Sequence, residues 1–252
     1  MSKDKDVMTI YWAPAYFTNN DSSWDLLYSE PESVFHTIIK NNDSHGRMPQ
    51  CPAIKDFLTN TFIFKSTIDD KFEMPLDIMK EIANTEQDNI VIPTDSRLRL
   101  TKLRKTSFND HINVQYNMGW IFYSSEPVMA EFTAPFFPAN TPVNGALLSP
   151  GSFNIGSWFR PYNLDYHIPL SSKEFSISEG DPLFYLRILT NKRVQFKRFV
   201  MSSRLANLSD EMSQSSLRYG RFKKLEEKYA MFKNAKMGSL VMSEIQKNII
   251  KD

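Results

Sequence analysis

The densest gathering of reactive side chains lies between Ser149 and Asp181, where Trp158, Phe159, Tyr162 and Tyr166 crowd around Arg160, Asp165, His167 and Asp181. An arginine set among aromatic rings can hold a carboxylate or phosphate through its planar fork. Trp158, Arg160, Tyr162 and Asp181 are therefore the candidate ligand-binding residues. The same composition suits the corner of a β-sheet, in which the rings are core and Arg160 pairs with Asp165 or Asp181. We expect the second arrangement.

Other chemistry is harder to place. The four histidines are His36, His45, His111 and His167, and none is followed two residues later by an acid, as a strand-borne iron site needs. There is no His-x-His pair and no His-Glu-x-x-His helix, so no metal and no cofactor is expected. Phosphate-binding glycine loops are missing too. Gly151 and Gly156 frame Ser-Phe-Asn-Ile, which suits a strand turn better than a phosphate cradle. The single cysteine, Cys51, precedes Pro52 at a predicted helix start; without a partner base it is expected to be buried and structural. No nucleophile elbow occurs, and no residue is assigned a catalytic role.

A second candidate surface lies in the C-terminal part. From Lys192 onward fourteen basic residues face six acidic ones, a net +8 within a chain whose total is +1. Arg218, Arg221, Lys224 and Lys228 cluster on one side of a predicted helix, which could bind nucleic acid; Glu226 and Glu227 interrupt the run and favour a solvated face. Phe222, Leu225, Tyr229 and Phe232 follow a three-four-three spacing along that helix, predicted to run from Asp210 to Asn234 with Ser209 as its cap. Arg218, Arg221, Phe222, Leu225, Tyr229 and Phe232 thus make an interaction helix, its stripe expected to pack on the rest of the chain or across a homo-oligomer interface. Gly238 punctuates, and Val241, Ile245 and Ile249 mark the narrow face of a last helix.

The elements that must position these residues are mostly strands. His111 to Phe122 alternates with period two and reads as one long strand with a buried face. Arg97 to Thr101 gives another, and Thr61–Lys65, Asn89–Ile92, Val128–Thr133, Ala146–Ser149, Phe175–Ser178 and Leu183–Leu189 are further candidates. Helices before the tail are few: Ser33 to Lys40, Pro52 to Thr59 and Pro75 to Asn84. The expected fold is mainly β, a sandwich or β-clip-like core with a C-terminal helical hairpin, α+β overall. The division expected is a β-rich core domain over 1–206 and a helical appendage over 207–252.

Composition bounds the rest. With 252 residues the chain can bury a real core, and 13% aromatic content argues against disorder. No apolar run approaches the roughly 20 residues of a membrane span, and the start lacks the apolar stretch of a signal peptide, so an intracellular protein with no membrane partner is expected.

Three segments carry a resemblance: CPAIKDFLTNTFIF from Cys51, GSFNIGSWFRP from Gly151 and SEGDPLFYLRI from Ser178, with Tyr11-Trp-Ala-Pro and the Trp24-to-Pro31 stretch in keeping. Their order resembles an uncharacterised family of proteins from tailed phages, especially marine and cyanobacterial ones. That resemblance implies a viral origin, in the host cytoplasm or the virion. The expectation is a non-enzymatic phage protein that contacts a phage or host protein, or further copies of itself. The segment from Gly151 and the later strand through Ile177 to Leu186 are also similar to the late strands of β-clip enzymes that hydrolyse dUTP or deaminate dCTP. That likeness implies a nucleotide-binding or nucleotide-hydrolysing alternative with Arg160 on the phosphate, although Asn154 stands near where that family has an aspartate. A nucleic-acid-binding accessory protein using the basic helices is a third reading.

Overall fold

Alternation in Val7–Pro14 (β1) sends Met8, Ile10 and Trp12 to one face, where all three are buried, while Tyr11 and Ala13 serve the other. The computed structural model describes residues 7–15, 28–40, 51–73, 90–92, 101–105, 111–117, 119–136, 146–213, 225–234 and 236–250. After β1 come β2 (Glu32–Ser33), β3 (Thr61–Lys65), β4 (Asp70–Glu73), β5 (Ile90–Ile92), β6 (Thr101–Lys105), β7 (His111–Asn117) and β8 (Trp120–Tyr123). Then follow β9 (Met129–Thr133), β10 (Leu147–Leu148), β11 (Gly151–Asn154), β12 (Asn163–Pro169), β13 (Glu174–Ile177), β14 (Pro182–Ile188) and β15 (Arg193–Arg198). Helices α1 (Val34–Lys40) and α2 (Pro52–Leu58) precede β3, and α3 (Ser203–Ser213), α4 (Leu225–Asn234) and α5 (Met237–Lys247) follow β15. The protein is mainly β with C-terminal helices.

The strands form sheets of order β15-β1-β8, β10-β12-β7-β6-β5 and β11-β9-β14-β3-β2, and the pair β13-β4. Among the described strands only β1 and β15 run parallel; their register sets Met8 opposite Val194 and Trp12 opposite Arg198. All four sheets give side chains to one aromatic-rich core, including Trp12, Trp120, Phe64, Phe184, Tyr166 and Phe175. Phe64 lies at its centre, stacked on Phe184 at 4.8 Å and edge-on to Phe122 at 5.0 Å.

Two of the sheets are covered on both sides. On the back of β3 and β14, Ile63 and Tyr185 pack under Val34 of α1 and Leu58 of α2. On the back of β1 and β8, Ala13, Ile121 and Tyr123 pack under Leu205 and Met212 of α3, Phe232 of α4 and Val241 and Ile245 of α5. Double coverage explains why β14 reads as a continuous apolar run with only Arg187 left half-exposed.

Several expectations are corrected. The run from His111 to Phe122 is two strands in different sheets, parted at Gly119, which takes the left-handed φ of 67° that glycine accepts most readily. Alternation survives the break because Val114 and Tyr116 before it and Trp120 and Phe122 after it face the same core. Ser209 does not cap a helix; it is buried inside α3, and Ser202 performs that role, its Oγ accepting from the Leu205 N–H at 3.3 Å. The helix predicted to begin at Asp210 therefore starts earlier, and residues 214–224 of its predicted span lie outside the described residues.

Gly238 sits within the first turn of α5, and the break before it falls on Lys236, left-handed with φ 52°. Gly238 is instead where the helix meets the sheet. A Cβ there would lie 2.8 Å from the Tyr123 hydroxyl, which donates to the Gly238 carbonyl at 3.2 Å. Ile249 falls beyond the helix and bridges Phe199 in an antiparallel pair. Cys51 is exposed, because it takes the N-cap position of a short surface helix that starts at Pro52. The predicted helix Pro75 to Asn84 and the strand residues Arg97 to Leu100 lie outside the described residues.

Candidate functional site

Residues 155–162 leave β11 and run along the edge of β8. The Ser124 N–H donates to the Ile155 carbonyl at 3.3 Å and the Tyr162 N–H to the Trp120 carbonyl at 3.0 Å, so the segment satisfies the strand's outer edge. It straddles that edge. Ile155 and Tyr162 enter the aromatic-rich core, whereas Phe159 turns the other way into the helical layer and meets Tyr123 edge-on at 5.6 Å. Trp158 and Arg160 flank Phe159 and are half-buried.

Three of the four candidate ligand residues come together here. The Arg160 guanidinium lies over the Trp158 ring at 5.2 Å. Phe153 links Trp158, at 5.0 Å, to Tyr162, at 4.4 Å. From the other layer Tyr229 of α4 stacks on Trp158 at 4.8 Å with the planes 20° apart. The interaction helix thus meets the aromatic segment through Tyr229, and Phe232 on the same helix is buried against the sheet. Leu225 begins α4, while Arg218, Arg221 and Phe222 lie outside the described residues.

Asp181 belongs elsewhere. Its Oδ2 accepts from the Ser178 N–H at 2.9 Å and its N–H donates to the Ser178 carbonyl at 3.0 Å, closing the turn before β14 around Gly180, whose φ is 85°. Neither Asp181 nor Asp165 pairs with Arg160, and among the described residues Arg160 has no carboxylate partner. The expected brace is absent because Ser-Glu-Gly-Asp is a self-contained turn.

The electrostatics of the cluster follow from burial. Tyr162 is fully enclosed, which pushes its hydroxyl well above the usual phenol range, with the Tyr229 hydroxyl adding to the rise. Tyr229 is raised by burial as well and pulled partly back by the Arg160 charge. Lys228 is held below the ordinary lysine range, first by burial and then by Arg160. At neutral pH both phenols therefore stay protonated beside the Arg160 guanidinium.

Two further arrangements were not singled out as sites in the sequence. Ser149 Oγ lies 2.8 Å from His167 Nε2, because the β10–β12 ladder sets Leu147 opposite His167 and carries Ser149 alongside Asp165. A hydroxyl in contact with an imidazole is the first half of a nucleophile-and-base pair. The strand alternation that puts Asp165 and His167 on one face was the available signal. The second is Asp70, a buried carboxylate that accepts from the Tyr116 hydroxyl at 3.2 Å.

Asn154 is committed to its own turn, its Oδ1 accepting from the Gly156 N–H at 2.9 Å. A small cleft lined by Ser29, Glu32, Phe64, Lys65 and Trp120 has room for about one water molecule. Among the described residues no three His, Cys, Asp or Glu side chains gather as a metal site, and no helix is long and apolar enough to cross a membrane. In comparison with known proteins, the chain matches no family model and no curated protein.

Proposed function

We propose that this is a non-enzymatic phage protein that acts through protein–protein contacts, as a virion component or as an accessory protein directed at a host protein. The viral part of this reading rests on the three segments quoted above. Its contact part rests on the place where β15 ends and α5 hands over to the last residues. There Phe199 pairs with Ile249, the Val200 N–H donates to the Asn248 carbonyl at 2.9 Å, and the Ile250 N–H donates to the Arg198 carbonyl at 3.0 Å.

In such a pairing Phe199 and Ile249 share the inner face, so Val200 and Ile250 share the outer one as diagonal neighbours. Val200 is 44% exposed and Ile250 43%, yet Phe199 directly behind them is fully buried. Two large apolar side chains on a rigid backing form a preorganised patch, and such patches mark contact surfaces more often than isolated exposed residues do.

The test compares the parent chain with a Val200→Asp, Ile250→Asp double variant. We expect equal melting temperatures, with self-association by light scattering, or a stoichiometric complex captured from source-cell extract, weakened about tenfold or more in the variant. Equal association by a folded variant would contradict the reading. The nucleotide-hydrolysing alternative has less support, because Asn154 is occupied in its turn.

A further inference from the structure

Strand β15 ends its sheet among the described strands. The Phe199 N–H donates to the Trp12 carbonyl at 3.0 Å, so in this parallel pairing the odd-numbered residues of β15 turn their backbone groups to β1. Val194, Phe196 and Arg198 turn theirs outward. Among the described residues that outer side is paired at one end alone, where the Ile250 N–H donates to the Arg198 carbonyl at 3.0 Å. This bond belongs to the antiparallel bridge of Phe199 with Ile249, so the fold already adds extended chain to this edge. Exposure grades across the sheet in the same sense. Met8 and Ile10 of β1 are 5% and 0% exposed, whereas Val194 and Phe196, opposite them on the same face, are only half-buried. On the other face Arg193, Gln195 and Lys197 are all exposed. Gln195 Nε2 donates to Thr9 Oγ1 at 2.7 Å, while Arg193 and Lys197 make no ion pair among the described residues.

We propose, on the protein-contact reading above, that the outer edge of β15 binds an extended segment of a partner protein as an added antiparallel strand in which acidic residues alternate with apolar ones. The outward N–H and C=O groups of Val194 and Phe196 supply the backbone bonds, and the side chains supply the selection. Directly opposite residues share a face, so the acids fall against Arg193 and Lys197 and the apolar side chains against Val194 and Phe196. A second copy of this chain is a poorer occupant, because two β15 strands paired about Gln195 oppose Arg193 to Lys197 at both ends. Continued past Ile250, the register of the Phe199 bridge would likewise oppose Lys251 to Lys197. An acidic strand from another protein meets neither repulsion.

The experiment titrates the full chain with a fluorescein-labelled heptapeptide of alternating glutamate and valine, followed by fluorescence anisotropy. Saturable binding is expected, weakened about tenfold or more in the Arg193→Glu, Lys197→Glu double variant. Val194→Pro removes an outward N–H and spares the ladder to β1, so it should weaken binding as much with circular dichroism unchanged. Should that variant fail to fold, the peptide carries the test: N-methylation of its valine amides, which face β15, should abolish binding, and N-methylation of its glutamate amides should leave it. The proposal is overturned by a parent chain that does not saturate, by equal affinity for a peptide with the same residues in two blocks, or by binding that survives methylation of the valines. Self-association that Val194→Pro abolishes would also overturn it, assigning the edge to a second copy. None of these results decides the Val200 and Ile250 contact, which its own double variant reads.

Discussion

Arg160 holds its place by lying over Trp158, and no acid depends on it for charge balance among the described residues. Arg160→Ala should therefore lower the unfolding free energy by less than about 1 kcal/mol, the scale of an exposed cation–π contact. A loss of several kcal/mol in urea denaturation would point to a buried acid that the account lacks. Gly238 is the opposite case, a position with no side chain whose replacement is expensive. In Gly238→Ala the new Cβ must displace the Tyr123 hydroxyl, so we expect a cost of about 1–2 kcal/mol from the disturbed hydrogen bond. An unchanged denaturation midpoint would sink that contact. Trp158, Arg160 and Tyr162 were legible as a group because they are neighbours in sequence. Tyr229 was not, since only the packing of α4 brings it to Trp158, and the spacing around it announced an apolar stripe without saying what it would cover.

On α4 adjacent residues face opposite environments: Phe232 is 5% exposed and Met231 50%. Phe232→Ala is expected to destabilise by about 3 kcal/mol or more, and Met231→Ala by no more than about 0.5 kcal/mol. Similar effects in calorimetry would mean that the helix does not lie on the sheet as described. β3, β9 and β14 fell within a residue or two of their predicted spans, β3 and β14 as short apolar runs between turn signals and β9 through its half-exposed positions. β1 escaped notice because Ile10, Tyr11, Trp12 and Ala13 follow Thr9 with no polar position between them and the run ends in a proline, so neither alternation nor a β-branched run marks it. β15 carries its own alternation, but its arginines and lysine merged with the basic tail. The start of α3 was misplaced because Ser-Asp-Glu at Ser209 is as good a capping sequence as the serine pair at Ser202, and only burial of Leu205 decides between them.

Across the whole molecule, the sheet β15-β1-β8 separates two cores, an aromatic one shared with the other sheets and a second shared with α3, α4 and α5. Phenols buried around these cores make the structure sensitive to alkali. Tyr162, Tyr166 and Tyr229 are raised by burial, and Tyr123 is pushed up to about 12. A folded state that keeps protons which the unfolded chain gives up near pH 10 loses stability as pH rises. This contribution is complete below pH 10 and disappears as pH climbs through the folded values. We expect these phenols to ionise, by absorbance at 295 nm, only together with loss of circular dichroism. Full ionisation near pH 10 with the fold intact would contradict the burial. The account turns on the helices being the second wall of that sheet, and amide hydrogen exchange on the full chain tests it most directly. Because β1 and β8 are closed by α5 on one side, the account predicts that amides of Ile10, Trp12, Phe122, Val241 and Ile245 open with one common free energy close to that of global unfolding. Exchange of Val241 and Ile245 a hundredfold or so faster, with Ile10, Trp12 and Phe122 still protected, would contradict it, since about 2.7 kcal/mol would then separate the helices from the sheet.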